Sequence, residues 1–359
     1  MAQKLGSYTL ALSYLSLCTL FIALFEIPTG ILSDKIGRKK TLILASLLEC
    51  GESVIYIIAH NNDNQYYFYV ISSIFIGLSC SLCSGTETAM LYETTKELKK
   101  KNKFHHLQGR FDSITMFSFA GATLIGGLIS EFSFLLIFYL NLFTRICAVI
   151  ISLFFIEPKN VERTKDHPLL HFKKSLKNLF KNKKLKNLSI GKIIEYGFSG
   201  VTLQFSQIFL KTIIPNWLIG LTLGLKNLAG GIGFWIAGKT IDKLGYFKTI
   251  IGSTILTKII NIFAAVIANI FTPFIFVIDF FIRAPCHTAL EKLFQQEFTN
   301  KQRATMSSIN SFFENILFAI ISLGAGILSD ITNPQITIIT LLVCSSIGGI
   351  FYYKALKMD

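Results

Sequence analysis

Eleven long apolar runs restrict how this 359-residue chain can fold more than any other feature of its sequence. A helix rises 1.5 Å per residue, so about 20 mostly apolar residues cross a hydrocarbon core of about 30 Å. One buried soluble core cannot account for so many runs of this length, so the sequence predicts an all-α polytopic membrane protein. The predicted spans are 8–33, 42–60, 67–92, 113–130, 134–156, 190–212, 217–238, 249–269, 272–290, 304–328 and 335–353.

The basic residues orient the predicted helices. The chain carries 35 Lys and Arg against 21 Asp and Glu, a net charge of +14, and most of the basic residues fall in alternate loops. The opposite loops carry only Lys4 and Lys211. Because Lys and Arg in short loops mark the cytoplasmic face, we expect the N-terminus outside and the C-terminus in the cytoplasm. The basic excess is therefore a topology signal, and no motif in the sequence indicates a nucleic-acid partner.

A cytoplasmic loop motif occurs twice. The segment 30–40, GILSDKIGRKK, recurs at 238–248 as GKTIDKLGYFK, and GLISE at 127–131 recurs as GILSD at 326–330. Both copies lie on the same predicted side of the membrane, which is typical of parallel repeats. We therefore predict an N-terminal bundle (1–156), a basic cytoplasmic linker (157–189) and a C-terminal bundle (190–359).

Apolar residues alternate with lysines at helical spacing in the linker, from Pro168 to Lys186. This pattern suits an amphipathic helix on the anionic lipids of the inner leaflet. A solvated basic linker is the alternative interpretation.

The pattern GxxxDxxGRK at 30–39 resembles the loop signature of the major facilitator superfamily, and the degenerate second copy strengthens the resemblance. The segments 25–30, 84–93 and 303–308 are similar to a bacterial branch of efflux type. The resemblance implies a monomeric transporter of the bacterial plasma (inner) membrane, without cofactor, metal or enzyme activity. A transporter of this kind is expected to move a small molecule by alternating access and to use an ion gradient, with H+ as the expected coupling ion.

The resemblance also implies twelve helices with the signature loop after the second. Here the loop follows the first predicted span, so we expect family helix 1 to be missing because of a misplaced start or a truncation. A truncated remnant that does not transport is therefore one alternative function. Metabolite uptake by symport is another, because Ser73 and Thr123 stand where drug–proton antiporters of the family carry arginine and proline.

The family's gating motif maps onto Gly30, Asp34, Gly37, Arg38 and Lys39. The resemblance implies that Asp34 and Arg38 latch the outward-open state, that Gly30 allows close backbone approach and that Gly37 permits a tight turn. The alternative is that the basic residues only enforce topology. The second copy keeps Asp242 and Gly245 but has Tyr246 in place of arginine, so we expect its latch to be weaker.

Ionisable residues at membrane depth are costly and usually face a cavity or a partner. The candidates for contact with substrate or coupling ion are Lys226, Asp279, Arg283, Glu314, Glu26, Glu87, Gln204 and Gln207. Lys226 is expected near the bilayer midplane, and Asp279 and Arg283 are one turn apart and able to pair. A structural role is the alternative for each candidate, because polar side chains also join membrane helices.

The candidates divide by their expected roles. Glu314 and Glu26 are deep carboxylates that suit proton uptake, whereas Glu87 lies nearer the cytoplasmic end and suits a gate. Gln204 and Gln207 share a helix face and can donate hydrogen bonds into a cavity. Four further charged residues fall on helices that are peripheral in the family, so we interpret them as structural: Glu49, Glu52, Arg145 and Lys258.

Overall fold

A computed structural model describes residues 6–62, 64–99, 104–158, 176, 179, 181–297 and 303–358. Within these ranges the regular structure is helical, with no strand. The eleven helices are α1 (Tyr8–Ile36), α2 (Arg38–His60), α3 (Gln65–Cys83), α4 (Thr86–Glu97), α5 (Phe104–Ile129), α6 (Phe134–Leu153), α7 (Lys183–Lys211), α8 (Asn216–Ile267), α9 (Thr272–Glu297), α10 (Arg303–Ile331) and α11 (Pro334–Leu356). Most of the amphipathic helix predicted for Pro168–Lys186 falls outside the described residues.

Short polar side chains fix where several helices begin. Ser7, Asn182 and Asn333 each accept a hydrogen bond from the backbone N–H three residues on, at the starts of α1, α7 and α11. These side chains satisfy a backbone donor that has no partner within the helix. Pro334 follows the last of these caps in the first turn of α11, where a missing N–H costs nothing.

Eight helical segments in the described ranges are long and apolar enough to cross a membrane, which supports an integral membrane protein. Two of the predicted spans, 113–130 and 190–212, are not among these eight segments, and the helix boundaries differ from the prediction in two further places. The predicted span 67–92 is broken between α3 and α4, where Gly85 has a φ of 72°. The spans 217–238 and 249–269 both lie in the 52-residue helix α8, which is interrupted at Gly245.

The chain divides into two compact units. Unit 1 contains residues 1–114 and 133–168, and unit 2 contains 115–132 and 169–359, so α5 contributes to both. In unit 1, α3 packs against α1 and α2, and α6 packs against α2. In unit 2, α8 packs against α9 and α11, while α7 packs against α10 and α11.

Unit 1 is held together by aromatic and ionic contacts between its helices. The rings of Tyr14, Tyr56 and Tyr69 lie 5.9–6.4 Å apart, and the hydroxyls of Tyr14 and Tyr56 form a hydrogen bond. Arg145 Nη1 of α6 lies 2.8 Å from Glu49 Oε2 of α2. This ion pair agrees with the structural role expected for both residues.

Candidate functional site

Unit 2 contains a cavity of about 360 Å³ between α7, α8, α9 and one residue of α11. Sites for small molecules in proteins have volumes of about 300–1,000 Å³. Most of the wall is apolar and includes Leu203, Phe276, Phe280 and Leu290. Its charged lining residues are Lys192, Glu195, Lys226, Asp279, Arg283 and Glu291.

One face of α9 carries a polar stripe along this cavity. Asp279, Arg283, His287 and Glu291 follow one another at intervals of four residues, and all four line the cavity. Arg283 Nη2 lies 3.3 Å from Asp279 Oδ2, as the sequence spacing suggested. Asn261 of α8 donates a hydrogen bond of 2.8 Å to Asp279 Oδ1, so the carboxylate has partners on two helices.

Lys226 of α8 is buried in the wall of the cavity, with 4% of its surface exposed. Its Nζ lies 4.7 Å from the centroid of the Phe280 ring and 5.8 Å from that of Phe276. No carboxylate oxygen of the described residues lies within 4.0 Å of this nitrogen. The ammonium interacts over longer distances with Asp279 and Arg283. In this part of the cavity, Asp279 is the carboxylate nearest to the two cations, and Arg283 also interacts over a longer distance with Glu195.

A second charged cluster contains more carboxylates than cations. Lys192 Nζ of α7 lies 2.9 Å from Glu291 Oε1 of α9 and 3.8 Å from Glu314 Oε1 of α10. Only 10% of the Glu314 side chain is exposed, against 41% for Glu291. One cation thus contacts two carboxylates, which belong to different helices.

A third group of charges, behind the cavity wall, pairs one lysine with one glutamate. Lys258 of α8 donates a hydrogen bond of 2.8 Å to Ser199 Oγ, and its Nζ lies 3.6 Å from Glu195 Oε1. Both partners belong to α7 and line the cavity. Lys258 therefore ties α8 to the cavity wall of α7, in line with the structural role expected for it.

The structure brings some of the predicted site residues together and leaves others apart. Lys226, Asp279 and Arg283 share the cavity, and Glu314 is connected to it through Lys192. The side chains of Gln204 and Gln207 are exposed and do not line the cavity.

The two remaining candidates belong to unit 1. Glu26 is half-buried in α1, and Glu87 is exposed in the first turn of α4. Among the described residues, no group of three or more side chains could hold a metal ion.

Three charged lining residues and one histidine were missed as candidates: Lys192, Glu195, Glu291 and His287. The signal for His287 and Glu291 was present, because they continue the four-residue spacing of Asp279 and Arg283. Lys192 and Glu195 begin a similar stripe on α7, which Ser199, Thr202 and Ser206 continue along the cavity.

In unit 1, the first loop motif surrounds Gly37, whose φ of 95° is unfavourable for other residues. Glu157 caps α2 there: Arg38 N–H donates to its Oε1 at 2.8 Å and Lys39 N–H to its Oε2 at 2.7 Å. The guanidinium of Arg38 contacts Glu93 Oε1 at 3.3 Å. Neither of these acidic partners was predicted from the sequence.

Two expectations about this motif have different outcomes. The expected close backbone approach at Gly30 is not seen among the described residues, because a Cβ added there would meet none of them within 4 Å. The side chain of Asp34 lies outside the described part of the structure. In the second copy, Asp242 is exposed, and Lys292 Nζ lies 5.4 Å from the ring of Tyr246, which stands in place of arginine.

Helices long and apolar enough to cross a membrane, with charged side chains along a mostly apolar cavity, define a polytopic membrane protein. The model of the Major Facilitator Superfamily matches residues 1–322 of this chain. The chain therefore belongs to this superfamily, as the loop motif and its repeat predicted.

Solved structures share the fold at low sequence identity. The crystal structure of a variant of the nucleoside transporter NupG is 13% identical, with a TM-score of 0.75 over 98% of this chain and 94% of that one. The fucose:proton symporter FucP of E. coli is 12% identical, with a TM-score of 0.56 and 97% of each chain covered. These likenesses confirm the predicted fold class.

One curated relative also matches. An uncharacterised transporter of Buchnera aphidicola subsp. Acyrthosiphon pisum is 27% identical over 194 residues, which is 54% of this chain. The match spans 45% of that relative's length.

Proposed function

We propose that this chain is a proton-coupled secondary transporter that moves a small molecule by alternating access, with Glu314 as the proton acceptor. The observation that carries the proposal is the position of Lys192 between two carboxylates. An uncompensated charge buried in a membrane protein costs several kcal/mol. Protonation of one carboxylate removes the surplus negative charge, and Glu314 is the more buried of the two.

The same cluster links proton binding to helix contacts. Lys192, Glu291 and Glu314 belong to α7, α9 and α10, so the charge on Glu314 decides how strongly α10 is held to α7. A protonated Glu314 leaves Lys192 with Glu291 alone and weakens the attachment of α10. Reversible protonation thereby favours two different arrangements of the helices around the cavity, as alternating access requires.

The relatives support this proposal. FucP is a fucose:proton symporter with this fold, and NupG is a nucleoside transporter. The resemblance to an efflux-type branch suggests export from a bacterium across its inner membrane. Ser73 and Thr123 favour metabolite uptake by symport as the second candidate function. Asp34, Arg38 and Lys39, with Asp242 in the second copy, are proposed to gate the cycle.

Purified protein in liposomes that contain a pH-sensitive dye tests proton coupling. The compounds to be added are uridine, L-fucose and 3-phenylpropionate. For at least one compound we expect wild-type protein to move protons together with it, and the direction of the pH change distinguishes symport from antiport. Glu314→Gln should abolish proton movement while counterflow of the same compound continues.

Glu49→Gln is the matched control, because Glu49 is a carboxylate in a membrane helix of unit 1 that is paired with Arg145 and does not line the cavity. Folded Glu49→Gln protein should keep proton coupling. Counterflow without proton movement in the wild type would contradict the proposed coupling. Absence of counterflow for every compound, in protein that is folded, would favour the non-transporting remnant.

A further inference from the structure

We propose that the ligand of this cavity is an organic anion with an aromatic body. Its oxyanion binds Lys226 and Arg283, and its ring packs against the phenylalanines of α9. This inference rests on the proposed function, because it assigns the substrate class of the same cavity. The inference depends on which donors and acceptors in the cavity wall lack partners, and on the apolar surface beside them.

Two cationic side chains in the cavity have donors that are not paired with an acceptor in the described structure. Lys226 has no carboxylate oxygen within 4.0 Å among the described residues, although only 4% of its surface is exposed. Arg283 contacts Asp279 through Nη2, while its buried Nε has no hydrogen-bond partner in the described structure. Charge-assisted hydrogen bonds from two such groups are what a carboxylate or another oxyanion requires.

Asp279 and the hydroxyls close to these donors are already occupied, whereas Oε2 of Glu195, elsewhere in the cavity lining, has no hydrogen-bond partner in the described structure. Asp279 Oδ1 accepts hydrogen bonds from Asn261 and Arg283. The hydroxyl of Ser206 donates to the backbone oxygen of Leu203, and the hydroxyl of Thr202 to that of Phe198, each at 2.7 Å. A ligand with many hydroxyls, such as a sugar, would find few partners, so one oxyanion on an apolar body suits this cavity better.

The apolar surface beside the cations is aromatic. Lys226 Nζ lies 4.7 Å from the Phe280 centroid and 5.8 Å from the Phe276 centroid, so an anion on this ammonium brings its body next to both rings. Leu203 and Leu290 continue the apolar wall. Aromatic side chains pack best against other rings in tilted or offset arrangements. A cavity of about 360 Å³ holds a ring with a short acidic side chain.

The surplus carboxylate near Lys192 does not select an amino group. Lys192 holds both Glu291 and Glu314, and the proposed proton neutralises the excess charge. We therefore expect the acid 3-phenylpropionate to bind better than L-phenylalanine, which adds an ammonium group to the same skeleton. Tighter binding of L-phenylalanine would overturn the assignment to anions in favour of zwitterions.

Binding of 3-phenylpropionate to detergent-purified protein, measured by calorimetry without any gradient, tests the inference. The neutral 3-phenylpropanamide should bind at least about tenfold more weakly than the acid, because it lacks the charge. Lys226→Met should weaken binding of the acid at least about tenfold, and Lys226→Arg should retain most of it. Equal binding of acid and amide, or no binding of the acid at millimolar concentration, would overturn the proposal.

Lys354→Met is the matched control. Lys354 Nζ also lies over a phenylalanine ring, 5.6 Å from the centroid of Phe351, but its side chain is exposed and does not line the cavity. This variant should bind the acid as the wild type does. If Lys226→Met does not fold, the comparison of acid with amide on wild-type protein still decides the question.

The two proposals can fail separately. If the acid does not bind but another compound moves with protons, the substrate class is wrong and proton coupling stands. If the acid binds through Lys226 but no proton moves with it, the substrate class stands and the coupling is wrong.

Discussion

Gly37 and Gly245 adopt the same backbone conformation in the two copies of the loop motif, with φ and ψ of 95° and 160° in the first and 75° and 166° in the second. Each glycine is a single non-helical residue between two helical segments. The contacts next to them differ: Arg38 reaches a carboxylate on a neighbouring helix, whereas Tyr246 receives the ammonium of Lys292. Both copies therefore keep the backbone turn. The cation belongs to the loop motif in the first copy and to the neighbouring helix in the second.

This pair predicts unequal effects of the same substitution. Both glycines combine a positive φ with an extended ψ, a region that is essentially restricted to glycine, so alanine costs about 1–3 kcal/mol in both copies. At Gly37 the new Cβ would also lie 2.7 Å from Glu157 Oε1, whereas at Gly245 it meets none of the described residues within 4 Å. Thermal unfolding of the purified variants should show a larger loss for Gly37→Ala. An equal or larger loss for Gly245→Ala would contradict the role of the Glu157 contact.

The cap on α2 makes a separate prediction. Glu157 accepts two backbone N–H groups at the N-terminus of this helix, where negative charge is stabilising. Glu157→Gln removes the charge and one acceptor, so we expect a loss of about 1 kcal/mol that becomes smaller at high salt. Glu131→Gln is the control, because exposed Glu131 caps α8 through one bond of 3.1 Å to Trp217 N. An equal loss in both variants would argue against the double cap.

How much of the site the sequence could predict depends on the range of each contact. Asp279 and Arg283 are one helical turn apart, so their pairing follows from the spacing alone, and the same rule reaches His287 and Glu291. Glu157 lies 119 residues from Arg38. No local pattern connects these two residues, because the contact exists only after α2 and the chain beyond α6 have come together.

Helix faces were harder to assign than helices. Gln204 and Gln207 do share one face of α7, but that face is not the one that lines the cavity. The lining face carries Lys192, Glu195 and Ser199, while Phe205 is fully buried. Apolar residues surround α7 on several sides, so hydrophobic periodicity alone could not show which stripe faces the cavity.

The ion pair between Lys258 and Glu195 predicts that a second substitution restores the stability lost by the first. Lys258→Met leaves Glu195 without its cation, and removing one partner of a buried ion pair typically costs about 3–5 kcal/mol. The double variant Lys258→Met with Glu195→Gln carries no isolated charge and should recover most of that loss. Thermal unfolding of the single and double variants measures the coupling. Additive losses would show that the two side chains do not stabilise unit 2 as a pair.

Two adjacent glycines of α5 provide the sharpest internal control in the chain. A Cβ on Gly127 would lie 2.7 Å from the Cα of Gly220 in α8, whereas a Cβ on Gly126 would meet no atom within 4 Å in the described part of the chain. Small residues allow membrane helices to approach closely, so Gly127→Ala should destabilise unit 2 by about 1–3 kcal/mol. Gly126→Ala should be neutral or gain about 0.5–1 kcal/mol from helix propensity. Thermal unfolding decides between them, and equal stability of the two variants would mean that α5 and α8 do not depend on this contact.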